Sequence, residues 1–198
     1  SQTLIGTALD ISGDIDVDGT TNLDAVDIDG AVDMASTLQV DGAITFSSTL
    51  NGVDILADTT NFTDSILISQ NASTGTLDSA SSNTGLGDTV FSALTSGDFN
   101  TAVGFKALED HTTGASNTAI GAQALMNNTT AANNVAVGIS ALKTNTTGAS
   151  NTAVGKNALD VNTTASNNTA VGADSLGANT TGAANSALGA SALDANTT

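Results

Sequence analysis

The sequence predicts an all-β repeat protein, an elongated β-solenoid or fibre built from 17-residue units, and three observations carry that reading. Asn100-Thr101-Ala102-Val103-Gly104 returns at Asn117, Asn134, Asn151, Asn168 and Asn185, each start 17 residues after the last with no insertion. No window of this array sustains the 3.6-residue apolar spacing of a helix, whereas β-branched residues with Gly and Asn favour strands and turns. Only Phe46, Phe62, Phe91, Phe99 and Phe105 are aromatic in 198 residues, and much of the apolar content is Ala, too little for a compact globular core. The core is therefore either narrow and continuous, each unit burying its apolar side against its neighbours, or completed by other chains.

Residues 1–66 read as an acidic strand ladder. Leu9, Ile11, Ile15 and Val17 share one parity and Asp10, Asp14, Asp16 and Asp18 the other, so in a strand aliphatics and carboxylates occupy opposite faces. The phase flips after Leu23 and again near Asn51-Gly52, and Gly13, Gly19, Gly30 and Gly42 punctuate the runs where turns or bulges sit. Twelve Asp residues from Asp10 to Asp64 meet no Lys or Arg within the segment. An unpaired acidic face keeps sheet edges from pairing promiscuously. Asp14, Asp16 and Asp18, followed by Gly19, form a candidate metal site that matches the first half of a calcium-binding EF-hand loop. The twelfth position is Ala25 rather than Glu, and strand alternation produces the same spacing without a metal.

Residues 67–82 form a Ser/Asn/Thr-rich transition, and 83–198 the array. Asn83-Thr84-Gly85-Leu86-Gly87 stands 17 residues before Asn100, with Val90-Phe91 in the places of the later Ala-Leu pair, so 83–99 reads as a degenerate first repeat capping the array. Two positions per unit are reliably large and apolar and are expected to form the repeat core. One holds Val103, Ile120, Val137, Val154, Val171 and Leu188; the other holds Leu108, Leu125, Leu142, Leu159, Leu176 and Leu193. Asn at the first and twelfth positions would stack turn upon turn into side-chain ladders, since identical amides satisfy one another along such a stack. The Thr pairs Thr112-Thr113, Thr129-Thr130, Thr146-Thr147, Thr163-Thr164 and Thr180-Thr181 would form a surface ladder. Asn-Thr-Thr triplets at Asn128, Asn145, Asn162, Asn179 and Asn196 match the glycosylation pattern but follow from the repeat itself. His111 falls where other units carry Asn and reads as a repeat variant.

Composition narrows function. The formal charge is −17, with Lys106, Lys143 and Lys156 the only cations, which leaves no electrostatic footprint for nucleic acid or anionic membrane. No apolar run reaches the ~20 residues of a membrane span. Without Cys the chain says nothing direct about redox compartment. It opens on Ser1 and stops at Thr198 within a repeat, which reads as an excerpt of a longer chain. The apolar patterning argues against plain disorder. Gly85-Leu86-Gly87 belongs to the repeat and not to a phosphate loop, and His111 has no elbow or oxyanion turn around it. One Glu and no Trp or Tyr make a poor glycan cleft. The expectation is a non-enzyme with no cofactor.

The Asn-Thr-Ala-Val-Gly-x-x-Ala-Leu units resemble the head repeats of trimeric autotransporter adhesins, and still more the Asn-Thr-Ala-Val-Gly arrays of phage tail fibres. The acidic stretch, with Asp27-Ile28-Asp29-Gly30 and Val40-Asp41-Gly42, resembles the shafts of such fibres. The resemblance implies a parallel homotrimer of interleaved β-strands, a β-roll or triple β-helix, on a virion or cell surface. The period of 17 departs from the adhesin heads, which use shorter repeats. The expected role is a structural fibre shaft that positions a receptor-binding tip outside this segment. Its expected partners are its own copies, other virion or appendage proteins and a host-surface receptor. Scarce aromatics favour shaft over tip, because recognition surfaces are enriched in Tyr, Trp and Arg. Alternatives are an adhesin binding host or matrix surfaces directly, and an ice-binding solenoid acting through its Thr ladder.

Overall fold

A computed structural model describes residues 54–59, 62–69 and 76–198. The greater part of the acidic ladder, including the candidate calcium site at Asp14, Asp16 and Asp18, lies outside the described residues.

The array is built from one short strand per unit. These are β4 (Thr84–Leu86), β5 (Thr101–Val103), β6 (Thr118–Ile120), β7 (Val135–Val137), β8 (Thr152–Val154), β9 (Thr169–Val171) and β10 (Ser186–Leu188). Each pairs in parallel with the next at a shift of one repeat: Ala102 lies opposite Ala119, Ala119 opposite Ala136, and Ala170 opposite Ala187. The 17-residue period of the sequence is thus the register of the sheet. Parallel strands cannot be joined by a tight hairpin and need a long crossover, and here the other fourteen residues of each unit wind round to supply it. Residues 83–198 form an all-β solenoid of about seven turns, each completed by a single chain whose backbone bonds run to the turns before and after it.

The corners are made by left-handed residues in place of Pro, of which the chain has none. In the unit that starts at Asn117, Gln123, Leu125 and Asn133 take φ of 62°, 49° and 61°, and the same three positions repeat this in the units around it. Between them the chain advances by tight turns, Ala124 N–H donating to Gly121 O at 3.2 Å and Asn128 N–H to Leu125 O at 3.1 Å. The glycine after each strand also has positive φ, and there the reason is partly steric. A Cβ on Gly121 would stand 2.6 Å from the backbone of Gly138 in the next turn.

Two strands close the start of the stack. β1 (Asp54–Thr59) and β2 (Phe62–Ser69) pair antiparallel, Leu56 opposite Leu67, with an irregularity between Ala57 and Thr59. β2 then pairs in parallel with β4, Leu67 opposite Gly85, and with the two-residue β3 (Ala80–Ser81). Leu67 is fully buried, and a Cβ on Gly85 would come within 2.7 Å of its side chain. The first repeat therefore carries Gly where later units carry Ala.

The interior differs from expectation at one of its two large positions. Leu108, Leu125, Leu142, Leu159 and Leu176 are fully buried, while Leu193 in the last turn is 52% exposed. The β-branched rank points outward: Val103, Val137, Val154 and Val171 are half-buried, Ile120 is 41% exposed and Leu188 83%. Strand alternation is the reason. Asn100 and Ala102 face in, so Thr101 and Val103 face out. The Leu rank fills the narrow interior from the far corner and leaves room opposite it only for the Ala methyls.

Candidate functional site

Two ladders of amide side chains run through the solenoid. At the first position, Asn83, Asn100, Asn117, Asn134, Asn151 and Asn168 are buried. Each side-chain oxygen accepts the backbone N–H of the equivalent Asn one turn on, as in Asn117 N to Asn100 Oδ1 at 2.9 Å. Each side-chain NH2 reaches a carbonyl of its own turn, as in Asn134 Nδ2 to Gly148 O at 3.0 Å. At the start, where no earlier Asn exists, Ser65 of β2 takes over: its Oγ accepts from Asn83 N at 2.7 Å. Burying these amides is tolerable only because every turn supplies the partner for the next.

The second ladder occupies the twelfth position. Asn145 Nδ2 donates to Asn128 Oδ1 at 3.3 Å, Asn162 to Asn145 at 3.0 Å and Asn179 to Asn162 at 3.2 Å. Each also donates to a carbonyl three residues on, as in Asn145 Nδ2 to Gly148 O at 2.8 Å. The four Asn of the glycosylation-like triplets at 128, 145, 162 and 179 are thus fully buried and bonded.

His111 heads this ladder. Its Nε2 bonds Gly114 O at 2.8 Å and its Nδ1 receives Asn128 Nδ2 at 3.1 Å. These partners fix the neutral tautomer with the proton on Nε2. The turn before it holds Leu94, buried and apolar, where later turns hold Asn. An Asn has two N–H groups to place, one of them toward the preceding turn, whereas neutral His has one donor and one acceptor. His at this position therefore matches a ladder that has no acceptor above it. Burial lowers its pKa, against the opposing pull of the backbone at Gly114 and Asn128.

The Thr pairs divide. The first of each pair turns its hydroxyl along the stack, Thr112 Oγ1 donating to Thr129 O at 2.9 Å and Thr146 Oγ1 to Thr163 O at 3.1 Å. The second of each pair, Thr113, Thr130, Thr147, Thr164 and Thr181, is exposed, one per turn in register. The regular exposed rank of the Thr ladder is thus the second of each pair, while the first is half-buried except at Thr180, which is exposed.

Charge is segregated. In the array it lies off the strands, mostly on the corners that follow them, with Asp98 just before β5: Lys106 bridges Glu109 at 2.9 Å, and Asp160 lies near Asp174 and Lys143. Burial, reinforced by Asp174, raises the Asp160 carboxyl above its ordinary value. The outward positions of β4 to β10 hold only Thr, Ser and aliphatic residues.

No cluster of three metal-binding side chains exists among the described residues, and none of their helices is long and apolar enough to cross a membrane. These features define a class, a single-chain parallel β-solenoid with amide-stacked interior and a cap at its first turn. Comparison with protein-family models, curated proteins and solved structures gave no match for the chain.

Proposed function

We propose that this chain is a shaft segment of a homotrimeric fibre on a virion or cell surface, which holds a receptor-binding tip at a distance. The observation that supports it best is the unbroken in-register stack from β4 to β10. Six inter-strand steps make a rod about 29 Å long. The amide ladders and the glycines after β4 to β9 each meet the next turn, so the length scales with repeat number and the interior supplies stiffness without a bulky core. Sedimentation velocity with light scattering on the 198-residue chain tests the reading. A trimeric mass with a high frictional ratio is expected, and a compact monomer at all concentrations would overturn it.

A second reading rests on the exposed Thr rank from Thr113 to Thr181, a regular row of hydroxyls and methyls suited to an ordered surface such as ice or mineral. Thermal hysteresis at high protein concentration is its measure; none at all removes it.

A further inference from the structure

The outward face of the sheet is unlike any other side of the solenoid. It comprises two side-chain ranks on eight consecutive strands, β2 and β4 to β10. One rank runs from Ile66 through Thr101 to Ser186, and the other from Ile68 through Val137 to Leu188. None of these side chains is buried, and the second rank is aliphatic at every rung. Leu86 is 49% exposed and Leu188 83%. A solvated face of a sheet ordinarily alternates to polar residues, and an acidic chain has many to spend there.

We infer that this face is where copies of the chain pack side by side, parallel and in register, with the aliphatic ranks toward a common axis. The inference rests on the shaft reading, which supplies the partner. A second copy brings the same formal charge of −17. Copies can therefore meet closely only where neither presents carboxylates, and all sixteen outward positions are uncharged. The side with the Thr pairs is also nearly free of charge but is polar, so burying it gains little. Parallel orientation follows from the shaft, whose copies share their ends. It also sets each rung against the same rung of its neighbours, so mutual burial repeats turn by turn.

Area agrees with this occupant. Seven inter-strand steps give a strip about 34 Å long and roughly 12 Å wide, on the order of 400 Å². Its aliphatic rank makes up about half of that, the other rank being mostly Thr. The whole strip is about half of what one partner gives to a standard interface. Association through the described turns should accordingly be concentration-dependent and strengthen as turns are added.

The test uses the full chain in three forms, followed by sedimentation across a wide concentration range. Val137→Glu with Val154→Glu places two carboxylates per copy on the strip; Thr147→Glu with Thr164→Glu places the same charge on the Thr rank. The expected result is a trimer for the wild type and the Thr variant, and loss of the trimer for the Val variant with an unchanged circular dichroism spectrum. A Val variant that stays trimeric overturns the assigned face and leaves the shaft reading standing. A wild type that remains monomeric throughout overturns both. Should the Val variant not fold, single spin labels decide, since the chain has no native Cys. A label at Val171→Cys should meet its counterparts at short range, and one at Thr164→Cys should not. In an antiparallel pair centred on Val137, the two Val171 labels would stand four rungs apart, about 19 Å. That distance, or equal proximity from both labels, would overturn the inference.

Discussion

The first turn of the array and the turns after it solve the same packing problem with different residues. In interior units the sheet-facing residue is Ala, the corner pair is Ala-Leu except for Ser175-Leu176, and the twelfth residue is Asn from Asn128 onward. In the first unit the same places hold Gly85, Val90-Phe91 and Leu94. Every substitution answers a change in the neighbour. Leu67 of β2 reaches into the turn where only another Ala would otherwise stand, so Gly85 makes room while Val90 and Phe91 pack beside it. With an apolar cap above, an amide at position 94 would have nothing to stack on, so the polar ladder starts one turn later at His111. The last turn is the complementary case. It keeps the repeat sequence, yet its Leu193 is 52% exposed while Leu108 to Leu176 are fully buried. The Leu rank is thus buried by the turn that follows it, whereas Ala187 on the strand of the last turn stays buried without one.

The sharpest way to break this comparison is at the glycine after each strand. Gly121 and Gly189 have nearly the same φ, 130° and 124°, so an Ala at either place carries similar backbone strain, on the order of 1–3 kcal/mol. They differ in what lies beyond. A Cβ on Gly121 meets the Gly138 backbone at 2.6 Å, whereas on Gly189 its nearest neighbour is Ala192 Cβ at 4.0 Å. Gly121→Ala should disrupt the stack at that turn, with a loss well above the shared strain, and Gly189→Ala should cost only the strain. Equal effects in chemical denaturation would mean that the close approach between turns is not what selects glycine.

The Leu rank gives the next largest difference. Leu142→Ala removes a fully buried side chain and should cost about 2–5 kcal/mol by the cavity it leaves. Leu193→Ala removes a half-exposed one and should cost well under half as much. If the two shift the denaturation midpoint alike, burial by the following turn is not the source of the Leu contribution.

Much of this was legible in the sequence, and what was not has a physical cause. The period of 17 became the register of every pair from β4 to β10, because only a turn that repeats without insertion can stack in parallel. Side-chain direction was harder. Val103 and its equivalents are the largest β-branched residues of the unit and read as core, yet alternation puts Asn100 and Ala102 on the inner face. Accepting an interior of Asn requires knowing that the same amide waits one turn away. The left-handed corners were not visible, since nothing in Ala124-Leu125 announces a φ of 49° at a leucine. His111 looked like a neutral variant because its meaning depends on Leu94, 17 residues earlier.

The start of the second ladder can be tested by moving it. His111→Asn supplies one more N–H than the site can place beneath Leu94, so it should cost about 1–3 kcal/mol for the unsatisfied donor. Adding Leu94→Asn gives that N–H an acceptor and shifts the ladder up one turn. The double variant should then be less unstable than the sum of the two single changes, a coupling read directly from a double-mutant cycle. Strict additivity would show that His111 does not head the ladder for the reason given.

The smallest expected effect is the dependence of stability on pH, and it isolates the same residue. An unfolded imidazole takes up a proton near 6.5, whereas burial lowers the value for His111 in the fold. Below about 6.5 the unfolded state therefore binds more protons. The His111 contribution is fully present above that pH and is lost as pH falls toward the folded value, by at most about 1.4 kcal/mol per pH unit. Protonation would also place an N–H on Nδ1 against the Asn128 NH2, replacing an acceptor by a second donor. Asp160 works in the opposite sense. Its raised carboxyl pKa means that ionisation costs the fold, so stability is regained as pH falls through its range. Melting curves of the wild type and His111→Asn between pH 7 and pH 5 should accordingly converge as pH falls, because only the wild type loses the His term. With Asp160→Asn as the background, the wild-type decline should steepen. Parallel curves for the two proteins would mean that the imidazole is equally basic folded and unfolded, and that its place beneath Leu94 is not the dry one described.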